Sequence, residues 1–213
     1  MLFRSIVDVG EGERLGEPED ARERRAQLVR HGRGERAPSL LEVGLVRDVV
    51  ERHDRLGASA DDLLHVSFPL GIHPVASLFA RTAEDVGVGT VWAGAGNNTP
   101  SNAQLDLILE LKPTIWAGMG SYGLHLANLA EARGIDLSKS AVRKIIVAAE
   151  PLSPAKRQKL ERAWGAEVFD LFGMTEAAFV AGEGVKREGL YVWDDIFFCE
   201  VVDETTGAPL PHG

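Results

Sequence analysis

Residues 142–171, VRKIIVAAEPLSPAKRQKLERAWGAEVFDL, contain a complete strand–helix–strand unit. Val142 and the apolar residues 145–147 predict a short strand over residues 142–147. Ser153 followed by Pro154 is typical of a helix N-terminus, and Leu160 and Trp164 are spaced to lie on one face of that helix. After Gly165, the segment AEVFDL at residues 166–171 predicts the next strand.

The same unit is repeated on the N-terminal side. Residues 63–66, 88–92 and 114–117 predict further short strands, and each is followed by apolar residues at helical spacing. Ser101 and Gln104 fit a capping box at the start of the second helix, and Ser121 fits the cap of the third. Short apolar strands separated by single helices predict an α/β fold with a mostly parallel sheet covered on both faces. The predicted inward faces are Val75, Leu78, Phe79, Ala83 and Val86, then Leu105, Ile108 and Leu109, then Tyr122, Leu126 and Leu129.

The two ends of the chain have a different character. Residues 190–193 and 197–202 have strand-like composition with no helix between them, which predicts a C-terminal antiparallel hairpin followed by a turn-rich end. Residues 1–37 form a polar arm that is predicted to be disordered or non-native. Residues 1–36 hold eight arginines and eight acidic residues, so their charges cancel and a nucleic-acid-binding arm is disfavoured. Residues 38–213 are predicted to form one domain.

Overall composition excludes several classes of function. The 213 residues are 45% hydrophobic, carry a net charge of −9, and include no apolar run of bilayer length. Because negative charge repels phosphate groups, we expect neither nucleic acid nor membrane as a partner. Cys199 is the only cysteine, the six histidines show no H-x-x-x-H pair, and no secretory signal is visible. These features disfavour a zinc site and predict a cytoplasmic location.

Three common catalytic motifs are incomplete. No G-x-x-x-x-G-K-[S/T] stretch exists, which excludes a P-loop. Gly94 and Gly96 begin a possible dinucleotide-binding turn, but Thr99 stands at the third glycine position. Ser121 follows a predicted strand as a hydrolase nucleophile would, but Met119 stands where the motif requires glycine. A hydrolase that uses Ser121 is therefore a minor alternative.

Residues 170–176, DLFGMTE, directly follow a predicted buried strand, at the edge where open α/β sheets bind ligands. Phe172 offers a flat face to a base, and Gly173 permits close approach of the backbone to a ligand. Thr175 offers a hydroxyl to a phosphate oxygen, and Glu176 is a hard oxygen ligand suited to Mg²⁺. This pattern predicts a nucleotide-phosphate site, although spacing alone also fits a polar turn with a buried phenylalanine.

Residues 172–176 resemble the aromatic-Gly-x-Thr/Ser-Glu motif of the adenylate-forming (acyl-activating) enzymes. Residues 149–151, AEP, resemble the loop that brackets adenine in that family. The resemblance extends over residues 45–213, and the order of the further segments is similar to that of the phenylacetate-coenzyme A ligase branch. Those segments are residues 96–99, 112–114, 121–122, 134–136, 189–195 and 203–207.

The resemblance implies an ATP-dependent ligase that joins a carboxylic acid to AMP and then passes the acyl group to coenzyme A. It implies that residues 149–151 frame adenine, that Asp170 accepts from its amino group, and that Phe172 stacks on the ring. Thr175 would contact the phosphate and Glu176 would hold Mg²⁺. The nucleotide-binding residues implied in this way are Ala149, Glu150, Pro151, Asp170, Leu171, Phe172, Gly173, Met174 and Thr175.

The resemblance also implies an acid pocket near the end of the strand that leads into Ser121. An aromatic acid, similar to phenylacetate or benzoate, is the expected substrate because the candidate lining is rich in aromatic residues. Aromatic residues at strand ends also fit a simple core role. The candidates are Trp92, Trp116, Met119, Ser121 and Tyr122.

The chain departs from the family pattern in two places. The phosphate loop expected before a helix at residues 46–56 is not recognisable in residues 33–45. The ribose-binding aspartate, the hinge and the lid lysine would fall beyond Gly213. We therefore expect no appreciable adenylation by this chain alone, and a non-catalytic nucleotide-binding or interaction remnant is the alternative. An unpaired sheet edge would favour self-association, including a homodimer.

Overall fold

The computed structural model describes residues 58–85, 87–193 and 197–210. The described residues up to Trp193 belong to one compact unit and residues 197–210 to another. The predictions for residues 1–37, for Val86 and for a helix at residues 46–56 lie outside the described residues. Among the helices that are described, none has the length and apolar character needed to cross a membrane.

The larger unit is an α/β structure, as predicted. Its described strands form one seven-stranded sheet in the order β2-β1-β3-β4-β5-β6-β7. The pairs among β1 to β5 are parallel, and β6 and β7 are added antiparallel. The strands are β1 (Leu63–Val66), β2 (Gly89–Trp92), β3 (Ile115–Gly118), β4 (Lys144–Val147), β5 (Glu167–Met174), β6 (Ala178–Glu183) and β7 (Leu190–Val192). The helices are α1 (Val75–Asp85), α2 (Ser101–Leu111), α3 (Gly120–Ala132) and α4 (Pro154–Trp164), with a short 3₁₀ helix at Leu137–Lys139.

The strand order creates a point where the chain reverses its direction across the sheet. From β1 the chain passes through α1 to β2 on one side, and from β2 it returns through α2 to β3 on the other side of β1. The connections that follow β1 and β3 therefore leave in opposite directions. In open α/β sheets, this arrangement opens a crevice at the carboxyl ends of the strands, where ligands bind.

Two groups of apolar side chains form the core. Helices α2, α3 and α4 cover alternate residues of β3, β4 and β5, and Trp116 packs on Trp164 with ring centroids 5.4 Å apart. Trp164 donates its indole N–H to the Gly123 carbonyl at 3.1 Å. In the second group, Phe79 of α1 stacks on Phe68 at 5.1 Å and meets Phe179 of β6 edge-on at 4.9 Å.

Asp62 links the amino ends of three neighbouring strands. Its carboxylate accepts the Ser59 N–H at 2.9 Å and the Thr114 hydroxyl at 2.5 Å, and it pairs with Arg143 at 2.5 Å. Thr114 precedes β3, Arg143 precedes β4, and Asp62 itself precedes β1. Burial would raise the pKa of Asp62, but the bonds from Thr114 and Arg143 outweigh burial and lower it. This cluster lies at the edge of the sheet opposite the predicted ligand site.

A buried polar network surrounds Gln104 and corrects one prediction. Ser101 and Gln104 do not form a capping box, because Pro100 is the N-cap residue of α2 and no side chain caps it. Instead, the Gln104 side-chain amide donates to the carbonyls of Gly94 and Thr99, at 2.8 and 3.1 Å. Its oxygen accepts from the Ser67 hydroxyl at 2.7 Å. Gln104 therefore turns inward and fastens the β2–α2 loop to the end of β1.

His65 is fully buried beside Gln104 and is held in the neutral state. Its Nε2 lies 3.3 Å from the Gln104 oxygen, while Nδ1 has no hydrogen-bond partner among the described residues. Because the Gln104 amide nitrogen already faces two carbonyls, its oxygen must be the group that faces His65, so Nε2 carries the proton. Burial lowers the pKa of His65 from 6.5 to about 4, although the bond to Gln104 opposes this change.

We expect the free energy of unfolding to fall as the pH is lowered from 7 to 5, by about 2 kcal/mol from His65 alone. Between the two pKa values the unfolded chain binds a proton that the folded chain does not, so stability is lost as the pH falls through this window. Urea denaturation at both pH values measures the loss. In His65→Gln, which does not titrate, the loss should be smaller by that amount; an equal loss would contradict this assignment.

The predicted C-terminal antiparallel pairing is present, but the partner of β7 is β6, a strand that was not predicted. Among residues 197–210, the described pairing is a bridge between Val202 and Pro209. The Asp203 side chain closes the intervening turn by accepting from Thr205 and Thr206. Ser153 does cap α4 as predicted, accepting the Lys156 N–H at 3.2 Å.

Candidate active site

The candidate nucleotide residues follow neighbouring strands at the carboxyl edge of the sheet. In the register, Gly118 of β3 is the partner of Val147 of β4, and Val147 is the partner of Asp170 of β5. Parallel strands end at a common edge, so residues 119–122 and 148–151 leave the sheet next to each other and next to Asp170. The fold thus brings together three segments that are far apart in the sequence.

Glu150 anchors residues 149–151, the candidate adenine loop, to the start of α3. Its carboxylate accepts the Ser121 N–H at 2.5 Å and lies 3.4 Å from the Lys156 ammonium group. Lys156 also donates to the Pro151 carbonyl at 3.0 Å. Burial would raise the pKa of Glu150, but the bonds from Ser121 and the Lys156 charge lower it. Ala149 precedes this anchor in a left-handed backbone conformation, with φ of 68°.

Ser121 is not the cap of α3, which corrects the sequence prediction. The N-cap residue is Met119, whose side chain makes no capping bond, and Ser121 is already the second residue of the helix. The carboxylate of Glu150 takes over the capping role from a different loop. A negative charge is favourable there because the exposed N–H groups make the start of a helix partly positive.

Asp170 lies where β5 changes its partner. It is the last residue of β5 paired with β4, and Leu171 is the first paired with β6, opposite Gly182. Burial and the nearby charge of Glu183 raise the pKa of Asp170, and Arg157 partly opposes them. The backbone N–H of Asp170 donates to the Glu183 carboxylate at 2.8 Å.

Gly173 has a structural reason to be glycine. The pairing of β5 with β6 shifts register between Phe172 and Gly173, and a Cβ atom at Gly173 would lie 2.4 Å from the Ala178 carbonyl oxygen. The motif predicted close approach of a ligand at this glycine, whereas the described contact is close approach of β6. Phe172, beside it, is 36% exposed and so presents part of its ring to the surface.

Thr175 and Glu176 lie in the turn between β5 and β6, and both are exposed. Among the described residues, no cluster of three or more His, Cys, Asp or Glu side chains could hold a metal. Mg²⁺ does not need such a cluster, since one or two carboxylates with substrate phosphates and water commonly bind it. Exposed in this turn, Glu176 fits the role of a single protein ligand to Mg²⁺.

The five candidate acid-pocket residues do not lie together. Met119, Ser121 and Tyr122 lie at the start of α3, and the Tyr122 hydroxyl is 3.1 Å from the Ser101 hydroxyl in α2. Trp116 is fully buried against Trp164, as a core residue is. Trp92 is 46% exposed at the end of β2, which β1 separates from β3.

Three polar residues that organise this edge of the sheet were not singled out from the sequence, namely Lys156, Arg157 and Glu183, and Gln104 was assigned only a capping role. Lys156 and Arg157 carried a usable signal, because two cations in the first turn of α4 stand at the unfavourable end of the helix dipole. Their charges serve partners outside the helix, Glu150 and Glu183. Gln104 and Glu183 gave no such signal. The Gln104 amide donates to a backbone carbonyl, and the partner of Glu183, Arg157, is 26 residues away in the sequence.

Residues 77–213 match the family described as AMP-binding enzyme. Because this match covers more than half of the chain, the protein belongs to the AMP-binding enzyme family. A curated relative, the phenylacetate-coenzyme A ligase of Pseudomonas putida, is 33% identical over 78% of this chain and 38% of its own length. The phenylacetate-coenzyme A ligase of Escherichia coli K12 is 32% identical over 74% of this chain and 36% of its own length. The predicted resemblance to this branch is confirmed, and the chain spans little more than a third of these relatives.

Solved structures confirm the fold. An open conformation of 2-hydroxyisobutyryl-CoA ligase, in complex with 2-HIB-AMP and CoA, has a TM-score of 0.74 at 22% identity, covering 79% of this chain and 38% of that one. A benzoate CoA ligase from Burkholderia xenovorans LB400 has a TM-score of 0.64 at 19% identity, covering 79% and 35%. At these identities the likeness concerns the fold, which is that of the adenylate-forming CoA ligases.

Proposed function

We propose that this chain supplies the adenylate-binding edge of an enzyme that activates a carboxylic acid with ATP and transfers the acyl group to coenzyme A. In the first step, a carboxylate oxygen attacks the α-phosphorus of ATP and pyrophosphate leaves. In the second, the thiol sulfur of coenzyme A attacks the acyl carbonyl carbon and AMP leaves. The observation that carries the proposal is the position of residues 149–151 beside Asp170 in a chain of the AMP-binding enzyme family.

The proposed roles follow the chemistry of each side chain. Residues 149–151 and Phe172 would enclose the adenine ring, and Asp170 would accept from its amino group. The Thr175 hydroxyl would donate to the α-phosphate. Glu176 would hold Mg²⁺, which when bound neutralises charge on the transferring phosphate. Exposure of Thr175 and Glu176 in one turn supports these two roles. Leu171, Gly173 and Met174 would complete the nucleotide-binding segment.

The proposed acid is aromatic and similar to phenylacetate or benzoate. Met119, Ser121 and Tyr122 remain the candidates for its pocket, since they follow the strand next to the adenine loop. Trp92, in β2, and Trp116, in the core, are not retained as lining residues of this pocket. The curated relatives named phenylacetate-coenzyme A ligase support this class of acid and coenzyme A as acceptor. A cytoplasmic location is proposed with this activity.

Binding of a stable acyl-adenylate mimic tests the proposal. We expect calorimetry to show that phenylacetyl-sulfamoyladenosine binds the chain at least about tenfold more tightly than AMP, because it also occupies the acid pocket. A hexanoyl analogue should show a smaller gain. Absence of binding by all three compounds would contradict the nucleotide site, whereas an equal gain for both acyl analogues would contradict the aromatic pocket.

Two substitutions separate the phosphate and metal roles. Thr175→Ala should weaken AMP binding about tenfold through loss of one hydrogen bond to a charged group. Glu176→Gln should leave AMP binding unchanged and abolish the increase in ATP affinity that Mg²⁺ produces. Titrations of AMP, and of ATP with and without Mg²⁺, measure both effects. Glu131→Gln, an exposed change on α3, is the matched control. A full Mg²⁺ effect in Glu176→Gln would remove Glu176 from the metal site.

A further inference from the structure

A buried ion pair between Arg157 and Glu183 contacts the backbone of Asp170. Arg157 of α4 donates to both carboxylate oxygens of Glu183 in β6, at 2.7 and 2.8 Å. Arg157 also donates to the Val168 carbonyl in β5, at 2.5 Å. One oxygen of Glu183 accepts the backbone N–H of Asp170. The Glu183 side chain is only 6% exposed, so these contacts are shielded from water.

The ion pair lies where the backbone of β5 passes from one partner strand to another. Asp170 is paired with β4, and the following residue, Leu171, is paired with β6. The Asp170 N–H therefore finds its acceptor in a side chain, the Glu183 carboxylate. This contact fixes the backbone from which the Asp170 carboxylate projects.

The geometry suits precise positioning better than it suits stability. Arg157 uses both terminal nitrogens: Nη2 donates to the two Glu183 oxygens and Nη1 donates to the Val168 carbonyl, so the planar guanidinium is held in one orientation. A buried ion pair adds little net stability, because the cost of removing both charges from water offsets their attraction. The pair also has an electrostatic effect, since Glu183 places a second negative charge near Asp170. An apolar pair would fill the same space without supplying an acceptor for the Asp170 N–H.

We propose that Glu183 and Arg157 are positioning residues that hold Asp170 for recognition of the 6-amino group of adenine. The inference rests on the proposed function and deepens it, because it explains how the site would select a 6-aminopurine. Neither residue needs to touch the nucleotide. Their effect would pass through the Asp170 N–H and the Arg157 contact with the Val168 carbonyl.

The test compares AMP with purine riboside 5′-monophosphate, which lacks the 6-amino group, by calorimetry on the full chain. We expect the wild-type protein to prefer AMP by about tenfold, the value of one well-placed hydrogen bond. In the wild-type protein, Oε2 of Glu183 accepts from both Arg157 and the Asp170 N–H, and Oε1 accepts from Arg157 as well. In Glu183→Gln, one of these oxygens becomes an amide nitrogen, which cannot accept, and the negative charge that attracts Arg157 is lost. The preference for AMP should fall to about twofold or less, while the affinity for purine riboside 5′-monophosphate stays unchanged.

Two further variants complete the test. Arg157→Lys keeps the charge, but its single nitrogen cannot reach both Glu183 and the Val168 carbonyl as the two terminal nitrogens of Arg157 do. It should reduce the preference in the same direction, and it serves if Glu183→Gln fails to fold. Glu161→Gln is the matched control, because it removes a different ion pair of α4. In that pair the Glu161 carboxylate lies 2.7 Å from the Arg187 guanidinium, and no hydrogen bond or ion pair described for either residue involves Asp170. This variant should retain the full preference.

The outcomes distinguish this inference from the proposed function. A loss of preference in Glu183→Gln or Arg157→Lys, with purine riboside 5′-monophosphate still bound as in wild type, supports the positioning role. An unchanged preference, or an equal weakening of both nucleotides, overturns it while the nucleotide site stands. If wild-type protein binds neither nucleotide, the proposed function fails and this inference fails with it.

Discussion

Gly173→Ala should weaken AMP binding by at least about tenfold and lower the free energy of unfolding by about 1–3 kcal/mol. The added Cβ would lie 2.4 Å from the Ala178 carbonyl oxygen and 3.3 Å from the Phe179 Cα atom. These are backbone atoms, so no side-chain rotation relieves the clash and β5 must move away from β6. That movement displaces Phe172 and the turn that carries Thr175, both of which belong to the proposed nucleotide site.

Gly184→Ala is the matched control for this prediction. Gly184 follows β6 directly, and a Cβ atom there would meet only the Tyr191 ring at 3.9 Å, an ordinary contact. AMP affinity and stability should both stay close to those of the wild-type protein. Calorimetry and urea denaturation measure the two quantities. If Gly173→Ala binds AMP as the wild type does, the hairpin of β5 and β6 has no part in holding the nucleotide.

Asp62→Ala should lower the free energy of unfolding by about 3 kcal/mol at pH 7, with no change in AMP affinity of the folded protein. The Asp62 carboxylate is buried and joins Ser59, Thr114 and Arg143 at the amino ends of β1, β3 and β4. Its loss leaves these donors without their common acceptor. The nucleotide site lies at the other end of the same strands, which is why the two effects separate.

The pH dependence provides an independent check on Asp62. Its pKa is lowered in the folded protein, so the stability it contributes is present above the unfolded pKa of about 3.9 and is lost as the pH falls through the folded value. The difference between wild type and Asp62→Ala should therefore be largest at neutral pH and shrink near pH 3. A difference that is constant with pH would mean that Asp62 acts by packing rather than by charge.

The parallel part of the fold could be predicted because its signals are local. Short segments rich in apolar residues, such as 63–66 and 145–147, alternate with segments of helical spacing, and Ser153 with Pro154 marks the start of α4. Strand β6 was missed because its sequence, AFVAGE, is rich in small residues and ends in a charge. That charge, Glu183, is buried only because Arg157 reaches it from a helix 26 residues away.

The candidate site could be predicted only in part. The segments around Ala149 and Gly173 were identified from their motifs, and the register of β4 with β5 supports their common position. The partners of Gln104 and Glu150 could not be predicted, because a polar side chain in or just before the first turn of a helix can either cap that helix or reach another loop. Only the packing decides between the two: Gln104 turns inward to Gly94, and Glu150 reaches Ser121.

Photolabelling with 8-azido-AMP, followed by peptide mapping, tests the central claim most directly. If adenine lies between the loop after β4 and the end of β5, the label should fall on residues 149–151 or 170–174, and excess AMP should prevent it. Label that AMP displaces but that maps to the β2–α2 loop at residues 94–100 or to residues 197–210 would contradict the account.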